Sequence, residues 1–464
     1  MRKRMPAARA VLFCVSAGRN GKPEQFFYQA RPQDQGLDAS QSENLTAGRP
    51  EGLPERALKR LDKKRNPAKR RGRDARGKGC GIAPVLRRLC ALAAACLLAA
   101  VSHGAAQAEE IDISARAAIL IDAASGRVLY AKNADARCPM ASTTKIMTAL
   151  LALENSAPNE IVTASERAAG TGGTSIYLSA GETLSMDEML KGLMLRSGND
   201  AAVAIAEHIG DSVENFAAMM NARAEELGAD AHFVTPNGLD AEGHGASARA
   251  MALIAREALR RGDFRALVGA QRATIPWRDN QYNRVLNNKN RLLREYEGAT
   301  GVKTGFTKKA GRCLVFSAER DGMELIGVVL NCGAWFDEAE RLLDWGFENF
   351  SIACAAEMGE DCGTVAVAGG ASPRVRVIAE SDAMAAVRAS DQWSVELTLA
   401  RSVAAPVHAG DSLGRAALKV NGEILAETRL IAAESSERLT FWGIFVKVLG
   451  GWPLGALFVE PIAR

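Results

Sequence analysis

Cysteine is scarce in this sequence, 9 among 464 residues, and nowhere does it take the paired spacing of zinc ligands. That excludes a zinc-stapled fold, and no metal is expected. Four cysteines (Cys14, Cys80, Cys90, Cys96) precede residue 109. The five beyond it (Cys138, Cys313, Cys332, Cys354, Cys362) are odd in number and define no disulfide framework, so most are expected to be buried as small apolar side chains. Positive charge is also missing where a polyanion would need it. The formal balance is +4 overall, but residues 1–88 hold 22 Lys and Arg against 8 Asp and Glu, whereas residues 109–464 hold 36 against 46. An acidic body of this kind excludes a nucleic-acid partner. Residues 89–108 contain no Asp, Glu, Lys or Arg, yet the apolar run inside them, residues 89–101, is too short for a membrane span.

That uncharged stretch is nonetheless informative. Arg87-Arg88, the apolar run and Ala106-Gln107-Ala108 form the positive, apolar and small-x-small regions of a secretory signal peptide over residues 85–108, with cleavage expected after Ala108. The protein is therefore expected to be exported and to work at the extracytoplasmic face of the cytoplasmic membrane. Residues 1–84 are irregular and then densely basic (Lys63-Lys64-Arg65, Lys69-Arg70-Arg71), a composition that repels itself and does not fold. Because a signal peptide acts from the N-terminus, translation is expected to start near Val85 or Leu86, with residues 1–84 an over-extension of the reading frame; the alternative is a basic cytoplasmic tail.

The rest of the chain is organised around Ser142-Thr143-Thr144-Lys145. Residues three apart on a helix share a face, so a helix beginning near Ser142 projects a hydroxyl and an amine together. Ser-x-x-Lys alone is usually just a capped helix start. Here Lys145 sits in an apolar run (Ile146, Met147, Ala149, Leu150, Leu151, Leu153) with no further charge until Glu154. A lysine there can act as a base if burial and a second cation keep it partly neutral.

Before this helix, residues 117–122 and 128–131 read as a hairpin around Gly126. After it, residues 160–169 read as a polar connection and residues 170–175 as a glycine-rich loop able to rim a cleft. A helix over residues 186–195 ends at Arg196-Ser197-Gly198-Asn199-Asp200, where N-cap chemistry starts the next helix, residues 201–209. Helices follow at 213–227 and 248–261, with a turn at 235–240 between them. Lys303-Thr304-Gly305 enters a strand that continues as residues 313–318 and pairs with residues 325–330 across Asp321-Gly322.

Ser-x-x-Lys, Ser-x-Asn and Lys-Thr-Gly in this order resemble the signature of the D-alanyl-D-alanine carboxypeptidases, the low-molecular-mass penicillin-binding proteins. The resemblance covers roughly residues 110–440 and extends to residues 141–150, 175–178, 235–240 and 301–307. It implies an α/β (α+β) serine β-lactamase-type catalytic domain over residues 109–352, an antiparallel sheet flanked by helices with the site at their junction. A small all-β domain over residues 353–436 would follow. By the same resemblance Ser142 is the nucleophile, Lys145 its base and Ser197 a proton relay. Asn199 holds the substrate amide, Lys303 and Thr304 bind its terminal carboxylate, and Gly305 and Phe306 complete the substrate strand. The N–H groups of Ser142 and Phe306 form the oxyanion hole.

The implied reaction removes the terminal D-alanine of peptidoglycan pentapeptide stems through an acyl-enzyme, without a cofactor, and β-lactams are covalent inhibitors. The alternatives are an endopeptidase on cross-links and a weakly catalytic penicillin-binding sensor. A class A β-lactamase is excluded, since no Glu-x-x-Leu-Asn run lies between Asn199 and Lys303. Two positions depart from the family pattern: Ala250, where Arg-Asp-Met is common, and Gly245, where an aromatic residue is common. Finally, residues 437–464 are apolar and aromatic (Phe441, Trp442, Phe445, Trp452, Phe458) but broken by Gly450, Gly451 and Pro453, which reads as an interfacial anchor on a membrane surface.

Overall fold

The protein is described here from a computed structural model that covers residues 26–29, 111–278 and 280–450. The expected export signal, most of the basic segment 1–84 and residues 451–464 lie outside the described residues.

Strand β1 (Ala117–Asp122) is buried along its whole length. Alternate side chains point to opposite faces of a strand, and here Ala117, Ile119 and Ile121 enter one apolar core while Ala118 and Leu120 enter another. A strand with two apolar faces needs a layer on each side. β1 pairs with β2 (Val128–Lys132) across the Gly126 turn. Later in the chain β3 (Ala299–Thr307), β4 (Gly311–Arg320) and β5 (Met323–Leu330) complete an antiparallel sheet in the order β3-β4-β5-β1-β2. The β4–β5 turn is Asp321-Gly322, both at positive φ (50° and 81°), the conformation that matches strand twist in a two-residue hairpin.

The longer helices between β2 and β3 fill the first core. They are α1 (Lys145–Asn155), α2 (Met186–Lys191), α3 (Asn199–Gly210), α4 (Val213–Glu226), α5 (Ala248–Leu259) and α6 (Gly262–Gly269). Every residue of α1 from Lys145 to Ala152 is buried, as expected of a helix apolar all round. The other face of the sheet is covered by α7 (Trp335–Asn349), through Phe336, Leu342 and Leu343. Two details are added. The polar connection at 160–169 contains a short strand, Ile161–Thr163, and a helical turn, Glu166–Ala169, and the helix expected over 248–261 is α5, ending at Leu259, with the separate helix α6 following it.

Beyond α7 the chain is almost all β: β6 (Ser351–Ala356), β7 (Asp361–Ala368), β8 (Arg374–Ala379), β9 (Ala383–Val387), β10 (Trp393–Leu399), β11 (Ser402–Ala404), β12 (Ser412–Val420) and β13 (Glu423–Ala432). The main sheet runs β10-β12-β13-β8-β7-β11, and a short strand, Phe26–Gln29, pairs with the β10 edge. The Asn421-Gly422 turn, at φ 52° and 90°, joins β12 to β13. β6 and β9 pair as a separate two-stranded sheet, and it is β9 and the segment after it that the β1–β2 turn holds. Arg127 Nη1 donates to Ala386 O at 2.8 Å and Asp391 Oδ2 at 2.7 Å, and Ala386 N donates to Asp122 Oδ2 at 3.1 Å. Helix α8 (Phe441–Gly450) ends the described chain. Cys138, Cys313, Cys332 and Cys362 are buried, and all five cysteines beyond residue 109 are free thiols; burial pushes the Cys313 thiol up to about 12.

Candidate active site

Ser142 does not open α1. It lies in a 3₁₀ turn, Ala141–Thr144, that runs into the helix. Side chains three apart eclipse in 3₁₀ geometry, and Lys145 Nζ sits 3.0 Å from Ser142 Oγ. The same Nζ donates to Asn199 Oδ1 at 2.7 Å and to the backbone carbonyl of Asn237 at 2.6 Å. Lys145 is completely buried, and no carboxylate is among these three partners. Burial first, then the charges of Lys303 and Lys289, hold its pKa well below the ordinary lysine value.

These contacts suit a base in its neutral form. A neutral amine has two N–H donors and one lone pair. In that form the carbonyl oxygens of Asn199 and Asn237 would take the two donors and the lone pair would face the Ser142 hydroxyl.

The second segment arrives through an irregular backbone. After α2 the chain forms a π turn, Gly192–Arg196, closed by Ser197 in the left-handed conformation at φ 69°, ψ 37°. π turns and left-handed non-glycine residues are uncommon and concentrate at functional sites. The expected N-cap chemistry is absent: Gly198 holds the N-cap position of α3, with no side-chain cap. Asn199 is buried, and besides Lys145 it holds the glycine-rich loop, Nδ2 donating to Gly172 O at 2.8 Å and N to Thr174 O at 2.7 Å. Its neighbour Asp200, fully buried, accepts from Ser175 Oγ at 2.5 Å and from Ile176 N, Leu178 N and Ala201 N at 3.0–3.1 Å.

The third segment is β3. Lys303 is buried, with Nζ donating to Thr304 O at 2.9 Å; burial first and Lys289 second bring its pKa to about 7. Thr304 is buried and Phe306 is 63% exposed. Gly305 explains how strand and nucleophile meet. A Cβ there would stand 2.9 Å from Ser142 N and 3.0 Å from both Met140 O and Thr143 N. Only glycine lets the strand backbone press against the turn that carries Ser142.

Several contributors had no role in the sequence reading. The turn at 235–240 is legible in the sequence, whereas its Asn237 carbonyl as a Lys145 partner is not. Gly238, at φ 80°, approaches so closely that a Cβ would lie 1.9 Å from Ala141 O, and Thr148 Oγ1 donates to Pro236 O at 2.6 Å. His244 locks this turn to the 3₁₀ turn that carries Ser142. Its Nδ1 accepts from Val234 N at 3.0 Å, so Nε2 carries the proton and donates to Thr144 Oγ1 at 3.0 Å. Burial, followed by the charge of His232, lowers its pKa to about 4, which keeps it neutral. Lys289, whose charge reaches both buried lysines, carried no motif signal.

The two departures from the family pattern are local. Ser247 caps α5 through Ala250 N at 3.0 Å, and a carboxylate at 250 would complete a capping box by accepting from Ser247 N. Ser247 N donates instead to Asp230 O at 3.1 Å. Gly245 is confined, since a Cβ would lie 3.2 Å from Cys138 O and 3.3 Å from Arg137 Cγ.

A family model described as D-alanyl-D-alanine carboxypeptidase matches residues 103–334, and one described as the penicillin-binding protein 5 C-terminal domain matches residues 350–438. The D-alanyl-D-alanine carboxypeptidase DacF of Bacillus subtilis is 35% identical over 356 residues, covering 74% of this chain and 91% of that protein. This chain belongs to the D-alanyl-D-alanine carboxypeptidase family. Another member, DacC of Escherichia coli, is 33% identical over 355 residues, 72% of this chain and 87% of its own. Among solved structures, penicillin binding protein 5 from Haemophilus influenzae superposes with a TM-score of 0.57 at 29% identity, covering 71% of this chain and 99% of that one. The carboxypeptidase family fold accounts for both sheets.

Proposed function

We propose that this protein is a serine D-alanyl-D-alanine carboxypeptidase acting on peptidoglycan stem peptides, and that penicillins acylate it at the same serine. The observation that carries this reading is the triple contact of Lys145 Nζ with Ser142 Oγ, Asn199 Oδ1 and Asn237 O. Lys145 takes the Ser142 proton as Oγ attacks the carbonyl of the penultimate D-alanine. The N–H groups of Ser142 and Phe306 receive the developing oxyanion, in a pocket whose closeness rests on Gly305. The Oγ–carbon bond forms and the carbon–nitrogen bond breaks. Ser197 relays a proton to the leaving D-alanine amine, and water then attacks the ester to free the shortened stem and restore Ser142. Lys303 and Thr304, with the charge of Lys289 behind them, hold the terminal carboxylate, which restricts the reaction to chain ends. Asn199 orients the substrate amide.

The proposal extends to cellular placement. Residues 85–108 direct export, residues 109–352 form the catalytic domain, residues 353–436 are a stand, and residues 437–464 rest on the membrane surface. Exposed Phe441, Trp442, Ile444 and Phe445 on α8 support the last point. No described helix is long and apolar enough to cross a membrane.

The test is D-alanine release from a diacyl-Lys-D-Ala-D-Ala peptide, with Ser142→Ala as control. Release that disappears in the control supports both reaction and nucleophile. Penicillin labelling of Ser142 without any D-alanine release would replace the hydrolase with a sensor.

A further inference from the structure

Next to the site lies a buried ion pair that the reaction does not use. Glu182 and Arg284 are 2% and 4% exposed and meet bidentately, Nη1 to Oε1 at 2.6 Å and Nη2 to Oε2 at 2.8 Å. Arg284 spends its remaining reach on backbone: Nη2 donates to Tyr177 O at 2.9 Å and Nη1 to Pro276 O at 2.8 Å, with the guanidinium 5.1 Å from the Trp277 ring centroid. Glu182 also accepts from Ser179 N at 3.0 Å. Arg284, on the strand Arg284–Asn287, thus grips the Tyr177 carbonyl from about a hundred residues further along the chain, while Glu182 holds Ser179 N from within the same segment.

What it grips is strained. Tyr177 has φ 61° with its side chain 65% exposed. A bulky residue in the left-handed region persists only where its surroundings over-determine it. On either side of Tyr177 the backbone N–H groups of Ile176 and Leu178 both point at the Asp200 carboxylate, and Ser175 Oγ, which also accepts from Tyr177 N at 2.7 Å, donates to it as well. Asp200 is bonded in sequence to Asn199, whose amide holds Gly172 O and Lys145 Nζ. An unbroken series of contacts therefore runs from Arg284 through Tyr177 and Asp200 to the base of the reaction.

We propose that Glu182 and Arg284 are positioning residues for acylation: they clamp Tyr177 in its left-handed conformation and so hold residues 172–178 and the Asn199 amide in register with Lys145. This rests on the carboxypeptidase reading and adds the device that keeps its substrate wall in place. Lysine cannot reproduce the planar fork of Arg284, so Arg284→Lys releases the Tyr177 carbonyl. Glycine adopts positive φ without strain, so in a Tyr177→Gly background the clamp has little left to hold.

The experiment is a double-mutant cycle on the limiting rate of acylation by a fluorescent penicillin, using the whole protein, with circular dichroism to confirm folding. Misplacement of the Asn199 wall by a fraction of an ångström to 1 Å is expected to make Arg284→Lys about ten- to a hundredfold slower. In the Tyr177→Gly background the same change is expected to cost no more than about threefold. Equal losses in the two backgrounds, or a wild-type rate in Arg284→Lys, would overturn the clamp. If Arg284→Lys does not fold, Glu182→Gln enters the same cycle with the same criteria. Absence of labelling in the wild-type protein would instead sink the carboxypeptidase reading, so the two failures are distinct.

Discussion

Gly305→Ala isolates the contact on which the site depends. The added methyl would lie 2.9 Å from Ser142 N and 3.0 Å from Met140 O and Thr143 N, where ordinary contact begins near 3.4 Å. All three neighbours are backbone, so no rotamer change relieves the overlap, and β3 must withdraw from the 3₁₀ turn by about half an ångström. Overpacking of this kind costs about 1–3 kcal/mol, which for a catalytic domain of this size lowers the unfolding midpoint by about 2–12 °C. The kinetic effect is larger in proportion. The Phe306 N–H and the Lys303-Thr304 pair retreat with the strand, and a displacement of that size is expected to slow acylation about tenfold or more. Stopped-flow acylation by a chromogenic cephalosporin and a thermal melt read the two effects. Gly333→Ala is the control, because a Cβ there meets nothing within 4 Å. A Gly305→Ala protein with wild-type acylation and an unchanged midpoint would refute the idea that strand–turn contact distance sets reactivity.

Two further outcomes follow from the same geometry. Lys303, with a pKa of about 7, is charged below neutrality and neutral above it. Therefore kcat/KM for a substrate ending in a free carboxylate should fall as pH rises through 7, while a substrate ending in an amide shows no such limb. The folded value lies below the ordinary 10.5, so the unfolded chain binds more protons between them, and this group's contribution makes stability rise with pH from about 7 to 10.5. Asp200→Asn turns an amide N–H₂ toward donors that now meet a carboxylate, Ser175 Oγ and the N–H groups of Ile176 and Leu178. At about 1–3 kcal/mol for each buried group left unpaired, the melting midpoint should fall measurably and acylation should slow, both read on the purified protein.

The fold was legible because its signals are local. Short apolar runs at residues 117–122 and 325–330 mark strands buried on both faces, the longer apolar run after Lys145 marks a core helix, and Asp321-Gly322 and Asn421-Gly422 mark hairpins by residue type alone. What escaped was irregular. Nothing in Gly192–Arg196 announces a π turn, and Ser-Gly-Asn-Asp reads as an N-cap because cap propensity ignores that Ser197 is drawn into the left-handed region to end the turn before it. The four-residue strand Phe26–Gln29, inside a segment whose composition resists folding, has no alternation long enough to detect.

The site divides along a similar line. Ser142, Lys145, Ser197, Asn199 and Lys303 are named by side-chain chemistry at fixed spacing, so a motif finds them. Lys145 is also held by something no motif encodes, a main-chain carbonyl 92 positions away at Asn237, which any residue in that conformation would supply. What the sequence must preserve is the path of the backbone. Gly238 is confined by Ala141 O and Thr144 Oγ1, and His244 bridges the same turn to Thr144. It follows that Asn237 should tolerate replacement better than Gly238, although only Asn237 touches the base. In this site Ser142 and Lys145 meet through their side chains, but the carbonyl that accepts from Lys145 and the strand that closes against the Ser142 turn are backbone, positioned by glycines that do no chemistry themselves.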